Sequence, residues 1–174
     1  MSTASAHIEQ LPIFMSAATR PSGFAELYER HYETVFRLAL RVTGNPADAE
    51  DVLQTVFLRL LARGGEVEDV ARPGAYFRRA AVNAAVDVLR RRELHAEAEY
   101  HDQATHAVQP TLLLKEQLRR AIAALDSDDA TLFVLRYVEG LSNEELATMF
   151  QIEKNNVAVR LHRIRQRLQA EMER

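Results

Sequence analysis

The sequence predicts an all-α fold of two small helical domains joined by a flexible linker, with a helix-turn-helix in the C-terminal domain. Apolar residues recur at the three- and four-residue spacing of amphipathic helices from Phe24 onward. Capping residues, glycines and prolines separate these helical segments. The stretch from Glu93 to Pro110 has little apolar periodicity and ends in proline. A length of 174 residues accommodates two such domains.

The composition is that of an ordinary globular protein and restricts the classes of function. With 47% hydrophobic residues, 27% charged residues and a net charge of -3, the chain has no uniformly basic surface, so DNA binding has to come from local clusters. The absence of cysteine excludes disulfides, thiolate metal sites and cysteine nucleophiles. The N-terminus has no signal-peptide pattern and no apolar run is long enough to span a bilayer, so we expect a cytoplasmic protein.

The first helix is predicted over residues 24–42 and ends at the segment TGNP. Gly44 suits the left-handed position at its C-terminus. Asn45 can cap the second helix, with a proline in the first turn and Asp48 completing the cap.

The exposed side of the second helix allows two interpretations. Its residues are Glu50, Asp51, Gln54, Thr55 and Leu58. An acidic face is usually a solvated one. Leu58, however, lies at the margin of the core stripe beside Asp51 and Gln54, which favours a surface for a partner. Composition alone leaves both interpretations open.

Glycines and prolines predict a loop near residues 63–73, after which a third helix begins. Its core side is apolar: Val82, Val86 and Leu89. Its other side is a polar stripe with members three or four residues apart: Tyr76, Arg79, Asn83, Asp87 and Arg90. The stripe is either a solvated face with an ion pair from Asp87 to Arg90 or Arg91, or a nucleic-acid surface. In the second case arginines hold phosphates, aromatics stack on unpaired bases and Asn83 reads a base edge.

The linker, residues 93–111, contains His95, His101 and His106. Its first residues are compatible with a helix. The spacing of the histidines does not align them on one helix face, and no cysteine is near. We therefore expect no metal site.

The C-terminal domain is predicted to start near residue 112. Its first helix has an apolar stripe: Leu114, Leu118, Ile122 and Leu125. A short helix capped by Asp126 or Ser127 follows. Ser142 and Glu145 then form a capping box that opens the first helix of a helix-turn-helix. The second helix of that motif has its own buried stripe: Val157, Leu161, Ile164 and Leu168.

Five cations lie on this second helix: Lys154, Arg160, Arg163, Arg165 and Arg167. Glu153 is the single acidic residue that opposes them between residues 152 and 168. A solvated basic helix is the simpler interpretation. Such a cluster within a helix-turn-helix nevertheless indicates contact with phosphates.

Taken together, these segments resemble a bacterial extracytoplasmic-function sigma factor, the smallest class of the major family of RNA polymerase specificity subunits. The family's core-binding region two is similar to FAELYERHYETVFRLALRVTGNPADAEDVLQTVFLRLL, and its promoter-melting helix to RPGAYFRRAAVNAAVDVLRRR. Region four is similar to LFVLRYVEGLSNEELATMFQIEKNNVAVRLHRIRQRL. The resemblance implies an N-terminal tail (1–23), region two (24–92), a linker (93–111) and region four (112–174).

The resemblance also implies partners. The first is core RNA polymerase, which would be contacted at the clamp helices of its beta-prime subunit and at its beta subunit. The others are promoter DNA and an anti-sigma factor, which in this family is often membrane-bound. It implies no enzymatic activity, no small-molecule substrate and no cofactor. The segment RPGAYFRRAAVN is further similar to the subgroup that serves iron-uptake signalling.

Residue roles follow from the positions that match the family's motifs. The resemblance assigns polymerase docking to Asp48, Asp51, Gln54, Phe57 and Leu58. It assigns capture of a flipped base of the non-template strand, and thus minus-ten reading and melting, to Tyr76, Arg79, Asn83, Asp87 and Arg90. It assigns minus-thirty-five reading in the major groove to Lys154, Asn155, Asn156, Arg160 and Arg163.

These roles offer an explanation of the negative net charge. The acidic residues would serve docking and solvated faces, and the basic ones two promoter-facing helices. We therefore expect the free protein to bind DNA weakly.

The chain departs from the family pattern at three positions. Asp126 stands where the family often has proline, which should alter only the start of a helix. Gln151 stands where glycine is common, so a left-handed turn there costs about 1 kcal/mol. Glu153 stands where serine or threonine usually caps the recognition helix. Because glutamate is a poor cap, Asn155 is expected to cap instead and to move the helix start later.

Two other classes of function remain open. A helix-turn-helix regulator that senses a ligand or dimerises would bind duplex DNA by itself, usually at paired half-sites. An enzyme could use the carboxylates of Asp48, Glu50 and Asp51, of which Asp48 and Asp51 share a helix face and could hold a metal. The sequence shows neither a nucleophile with its base nor a phosphate loop.

Overall fold

Seven helices make up the described part of the chain. The computed structural model describes residues 22–64, 72–99 and 110–173, and these contain no strand. The helices are α1 (Ser22–Thr43), α2 (Pro46–Ala62), α3 (Pro73–Glu99), α4 (Pro110–Ala123), α5 (Ser127–Tyr137), α6 (Asn143–Phe150) and α7 (Lys154–Met172). The all-α prediction is confirmed. None of these helices is both long and apolar enough to cross a membrane.

The N-terminal half is a three-helix unit in which α1, α2 and α3 surround one core. Its most buried members, none more than 1% exposed, are Val35, Leu38, Val52, Val56, Leu60, Phe77, Val82 and Val86. The apolar stripe predicted for α3 is confirmed. Phe77, which the sequence reasoning did not single out, is the largest of them, and its ring stacks on Phe57 and His31 at 5.3 and 4.4 Å between centroids. Burial and the charges of Arg30 and Arg78 lower the pKa of His31, so its ring packs in the neutral form near pH 7.

The turn between α1 and α2 forms as the sequence predicts. Gly44 has a φ of +69° and follows the end of α1. The Asn45 side chain accepts hydrogen bonds from the backbone N–H groups of Ala47 (2.8 Å) and Asp48 (3.4 Å), and so caps α2. The Asp48 carboxylate, expected to complete this cap, instead forms an ion pair with Arg92 and ties the start of α2 to α3.

The C-terminal half consists of α4 to α7 and includes the predicted helix-turn-helix. Asp126 caps α5 by accepting the N–H of Asp129 at 2.9 Å. Ser142 and Glu145 form the predicted capping box at the start of α6, with donor–acceptor distances of 2.8 and 3.2 Å. The apolar stripe predicted for α7 is buried, and none of its residues is more than 4% exposed: Val157, Leu161, Ile164 and Leu168.

The apolar stripe predicted for α4 is only partly correct. Ile122 and Leu125 are buried and Leu118 is half-buried, whereas Leu114 is 55% exposed. The buried residues of α4 all lie at its C-terminal end. Leu114 is exposed because it lies more than one turn before that packed end.

The segment between the two halves is partly helical. α3 continues to Glu99 and α4 begins at Pro110, so both helices extend into the residues expected as a linker. Within that segment His95 is exposed, and its Nδ1 lies 2.6 Å from the Arg91 carbonyl oxygen. His101 and His106 lie outside the described residues, as does most of the loop predicted near residues 63–73.

The turn of the helix-turn-helix contains a left-handed residue that is not glycine. Gln151 has φ +55° and ψ +43°, and its N–H donates to the Ala147 carbonyl. Glu153 occupies the capping position of α7, but its side chain makes no capping hydrogen bond. The helix begins at Lys154, so the later start expected from a cap at Asn155 is wrong. The tight turn at Gln151 brings the chain into helical conformation by Lys154 without a side-chain cap.

Replacing Gln151 by glycine should raise the free energy of unfolding by about 1 kcal/mol, because glycine adopts the left-handed conformation without the Cβ clash. Gly140 has a φ of +80° and open space around it, so Gly140→Gln is the matched control with the opposite sign. Urea denaturation followed by circular dichroism measures both variants. A lower free energy of unfolding in Gln151→Gly would contradict the presence of backbone strain at this residue.

Candidate nucleic-acid and partner interface

The outward side of α2 carries most of the residues assigned to polymerase docking. Asp51, Gln54 and Leu58 are exposed, and Leu58 is 61% exposed. Asp48 is half-buried and paired with Arg92, so it lies at the edge of this face. The face thus offers one exposed apolar side chain, that of Leu58, beside the carboxylate of Asp51 and the amide of Gln54.

Phe57 lies beneath the docking face. It is 4% exposed, and its ring centroid lies 6.1 Å from that of Phe24 and 4.7 Å from that of Tyr28. Phe57 can therefore support the face but presents almost no surface to a partner. Tyr28 and Tyr32 stack at 5.6 Å and are 38% and 44% exposed. Sequence reasoning missed these two tyrosines as candidate contacts, although their four-residue spacing places them on one helix face.

The polar stripe of α3 faces the C-terminal half. Its five residues are all half-buried: Tyr76, Arg79, Asn83, Asp87 and Arg90. The hydroxyl of Thr131, a fully buried residue of α5, donates to Asn83 Oδ1 at 2.5 Å. The Arg79 guanidinium pairs with Asp128 at 3.1 Å and lies 4.8 Å from the centre of the Phe150 ring. Helix α5 thus covers the middle of the stripe.

Arg90, at the other end of the stripe, binds the chain where α4 ends. Its guanidinium donates to the carbonyls of Ala123 (3.1 Å) and Leu125 (2.6 Å) and to the Ser127 hydroxyl (3.0 Å). Carbonyls at a helix C-terminus lack intrahelical partners and carry partial negative charge, which favours a cation there. The predicted ion pair with Asp87 is also present, at 3.5 Å. The C-terminal half of the protein covers this stripe. The stripe is therefore neither a fully solvated face nor an open nucleic-acid surface.

The recognition helix α7 exposes some of the predicted DNA-reading residues. Asn155, Asn156 and Arg163 are exposed. Lys154 is also exposed, but it forms an ion pair with Glu144 of α6, and this hydrogen bond lowers the pKa of the Glu144 carboxyl. Lys154 therefore connects the two helices of the motif.

Arg160 binds a buried carboxylate within the protein. Asp129 is 8% exposed, and its oxygens accept hydrogen bonds from Arg160 (2.5 Å) and Arg167 (3.1 Å). Asp126 lies within 3.8 and 3.6 Å of the same two arginines. Burial alone would raise the pKa of Asp126, but hydrogen bonds from Asp129 and the two positive charges hold it below its ordinary value. Arg160, expected to reach bases or phosphates, fastens α7 to α5 in this structure.

Val159 is an exposed residue of α7 that the sequence reasoning missed. It is 50% exposed and lies four residues from both Asn155 and Arg163, on the same side of the helix. Its methyl groups suit contact with the C5 methyl of thymine. The signal was present in the sequence, because Val159 falls outside the buried stripe of α7.

Carboxylates neutralise several cations of α3 and α7. The pairs are Asp128 with Arg79, Glu139 with Arg78, Asp129 with Arg160, and Glu144 with Lys154. The explanation of the negative net charge is corrected accordingly, because these acidic residues bind the basic ones directly. Among the described residues, no group of three or more histidines and carboxylates is arranged to hold a metal ion.

Asp129→Asn should lower the free energy of unfolding by about 1–3 kcal/mol, because two arginines lose a largely buried acceptor. Glu144→Gln is the matched control: it also removes one carboxylate from an ion pair with α7, but the Glu144 side chain is 62% exposed and solvent screens the pair. Urea denaturation measures both, and equal effects would contradict a special role for Asp129. Because the pKa of Asp126 is lowered in the folded state, the stability that the ion pairs of Asp126 contribute is present above its ordinary pKa of 3.8 and is lost as the pH falls through the lowered value.

Comparison with known proteins identifies both halves. Residues 27–94 match Sigma-70 region 2, and residues 115–168 match Sigma-70, region 4. The ECF RNA polymerase sigma factor SigL of Mycobacterium tuberculosis is 30% identical over 154 residues, which cover 84% of this chain and 87% of SigL. The RNA polymerase sigma factor CarQ of Myxococcus xanthus is 34% identical over 146 residues, with coverages of 81% and 84%.

A longer relative and a solved structure complete the comparison. The ECF RNA polymerase sigma factor SigE of Mycolicibacterium smegmatis is 31% identical over 163 residues, which span 87% of this chain and 62% of SigE. The sigma factor RpoE in complex with the anti-sigma factor NepR from Bartonella quintana has a TM-score of 0.50 and 19% identity, and the match covers 86% of this chain and 96% of that one; this likeness concerns the fold. With both sigma-70 regions present in order and relatives of 30% identity or more over most of their length, the chain belongs to the ECF group of RNA polymerase sigma factors.

Proposed function

We propose that this sigma factor docks on core RNA polymerase through the outward side of α2, opens promoter DNA with α3 and holds the upstream promoter element with α7. The observation that carries the proposal is the presence, on one chain, of a region-two unit with an exposed docking face and a region-four unit with an exposed recognition helix.

Docking places Leu58 at the centre of the contact with the clamp helices of the beta-prime subunit, with Asp51 and Gln54 beside it. Tyr28 and Tyr32 extend the apolar part of the surface onto α1, because both are partly exposed and Tyr28 packs on Phe57. The C-terminal half makes the contact with the beta subunit.

Minus-ten recognition uses the polar stripe of α3, and its contacts with α4 and α5 would have to open first. Asn83 offers an amide to a base edge, Arg79 and Arg90 offer guanidinium groups to phosphates, and Tyr76 offers a ring for stacking. Asp87 orients Arg90 through their ion pair. Holding a flipped base offsets its unstacking cost of roughly a few kcal/mol, so melting needs no nucleotide hydrolysis by this subunit.

Minus-thirty-five recognition uses the exposed side of α7. Asn155 and Asn156 can bond adenine through two hydrogen bonds, Val159 can contact thymine, and Arg163 can bind guanine or phosphate. Lys154 and Arg160 contribute by holding the helix in place, since both are bound to carboxylates of the same domain.

Regulation is proposed to follow the family pattern. An anti-sigma factor, membrane-bound as in many relatives of this class, would cover the docking face and keep the protein inactive in the cytoplasm. The segment from Arg72 to Asn83 supports the narrower proposal that the inducing signal concerns iron uptake. Induction of the target promoters by iron depletion tests that narrower proposal.

Mixed with bacterial core polymerase, the purified chain should start run-off transcription at discrete sites on genomic fragments. Leu58→Ser should weaken core binding and transcription about tenfold, because it removes the exposed apolar anchor of the docking face. Leu112→Ser, at a leucine of α4 that is 53% exposed, is the matched control and should leave both unchanged.

The opposite pattern supports a regulator that acts without polymerase. In that case the chain binds duplex DNA specifically by itself at paired half-sites, and added core enzyme produces no promoter-specific initiation. That result would overturn the proposed function.

Asn83→Ala should impair promoter opening more than the initial docking of polymerase on duplex promoter, because the lost amide contacts a base only after melting. Permanganate reactivity of unpaired thymines measures opening, and gel shift measures docking. A template with a pre-melted minus-ten segment should restore much of the activity. Equal losses of docking and opening would contradict the minus-ten role, and Gln117→Ala, at an exposed amide of α4, serves as the control.

A further inference from the structure

We propose that Asp129 is a positioning residue for minus-thirty-five recognition. Together with Asp126, it fixes the guanidinium groups of Arg160 and Arg167. These two groups lie at the edge of a groove in which Arg163 binds one phosphate of the promoter backbone. The inference rests on the minus-thirty-five role proposed for α7 and adds the means by which sequence discrimination is kept.

The groove lies between the start of α5 and the side of α7 proposed to read DNA. It has a volume of about 510 Å³, and the residues that line it are Asp129, Asn156, Val159, Arg160, Arg163 and Arg167. The three arginines follow Asn156 at spacings of four, three and four residues, so they share its side of the helix. Two residues proposed for base contacts, Asn156 and Val159, thus line the same groove as the arginines.

Asp129 binds two of the arginines that line this groove. Its Oδ1 accepts a hydrogen bond from Arg160 Nε at 2.5 Å, and its Oδ2 accepts one from Arg167 Nη1 at 3.1 Å. The carboxylate belongs to a residue that is 8% exposed, so water competes little for these bonds. Because one carboxylate engages both side chains, the two guanidinium groups are fixed relative to each other.

Both bound arginines keep donors for a second partner. A guanidinium group has five N–H donors in one plane. Asp129 accepts from the Nε of Arg160 and from one terminal nitrogen of Arg167, and Asp126 lies within 3.8 and 3.6 Å of the two groups. Each guanidinium therefore retains N–H groups that can donate to a phosphate oxygen.

The charges around the groove leave Arg163 as its net cation. The two carboxylates of Asp126 and Asp129 balance the positive charges of Arg160 and Arg167. Arg163 is exposed, and no carboxylate within the described ranges forms an ion pair with it. One net positive charge suits one phosphate.

This balance favours discrimination between sequences over affinity. Three unpaired arginines would attract the phosphates of any DNA sequence. Phosphate contacts fix the register of a helix on the duplex, and base contacts then specify the sequence. A carboxylate that holds two arginines in one arrangement therefore limits non-specific attraction while it keeps the register in which Asn156 and Val159 meet their bases.

Salt dependence tests the charge balance. Asp129→Asn keeps the size of the side chain and removes its charge. The variant should bind a labelled duplex of random sequence about fivefold more tightly than the parent chain, because arginines become available to any phosphate. A plot of the logarithm of the association constant against that of the salt concentration should become steeper by about one, which corresponds to one further cation on DNA. Fluorescence anisotropy of the full chain between about 50 and 200 mM salt measures both quantities.

Competition between promoters tests the discrimination. The templates are a promoter found by run-off transcription and the same promoter with its minus-thirty-five bases shuffled. With core polymerase, the ratio of transcripts from the intact and the shuffled template should fall about fivefold in Asp129→Asn. The fall should come from a gain on the shuffled template as well as from a loss on the intact one.

Two further variants accompany these measurements. Glu33→Gln is the matched control, because it also removes one carboxylate from an arginine, Arg37, but in an exposed pair on α1 at 3.6 Å. It should change neither the salt slope nor the transcript ratio. Asp126→Asn should give smaller changes in the direction of Asp129→Asn, since asparagine keeps the cap of α5. Circular dichroism shows whether Asp129→Asn is folded at the assay temperature, and Asp126→Asn supplies the test if it is not.

The outcomes separate the positioning role from the proposed function. A role of Asp129 in stability alone predicts equal losses on both templates and an unchanged salt slope, and that result would overturn the positioning role. Variants of Asp129 and Asp126 that match the parent chain in both measurements would overturn it as well, while a parent chain that prefers the intact template keeps the proposed function. A parent chain that does not initiate with core polymerase, or that ignores the minus-thirty-five bases, refutes the role of α7 itself.

Discussion

Helix α3 packs against neighbours on two opposite faces, and the rest of the structure depends on this constraint. One face, with Phe77, Val82 and Val86, completes the core of the N-terminal half. The opposite face carries the polar stripe and meets α4 and α5. Because the apolar face is fixed by tight core packing, the stripe cannot rotate away from its neighbours. Only a movement of the C-terminal half can expose it.

Ion pairs between the two halves neutralise several charges of the N-terminal half. The chain carries a net charge of -3, although α3 and α7 are rich in arginine. In the folded protein, carboxylates such as those of Asp128 and Glu139 form ion pairs with arginines of α3. The charge that the surface presents is therefore set by the fold as well as by the composition.

The parts of the fold that the sequence predicts are those that depend on near neighbours in the chain. The caps at Asn45 and Ser142 and the left-handed turn at Gln151 each involve residues within four positions. The buried stripes of α3 and α7 follow from the helical period. Even here a local rule fails at Asn155, because the turn, and not a capping side chain, determines where α7 begins.

The contacts that decide what the side chains do are distant in the chain. Asn83 and Thr131 are separated by 48 positions, and Arg160 and Asp129 by 31. No local pattern distinguishes an arginine that will bind a carboxylate of another helix from one that will bind phosphate. The sequence could therefore predict that the candidate site residues lie in helices, but their partners within the protein required the assembled fold.

The contact between the two halves combines ion pairs with apolar burial. Partly exposed ion pairs such as that between Arg79 and Asp128 contribute about 0–1 kcal/mol each. The proposed docking residue Leu58 lies outside this contact and is exposed. The buried apolar residues of the two halves belong to one continuous cluster, which includes Ala84 and Val88 of α3 together with Leu132 of α5. Separation of the halves would therefore have to offset the burial of apolar surface as well as the loss of ion pairs.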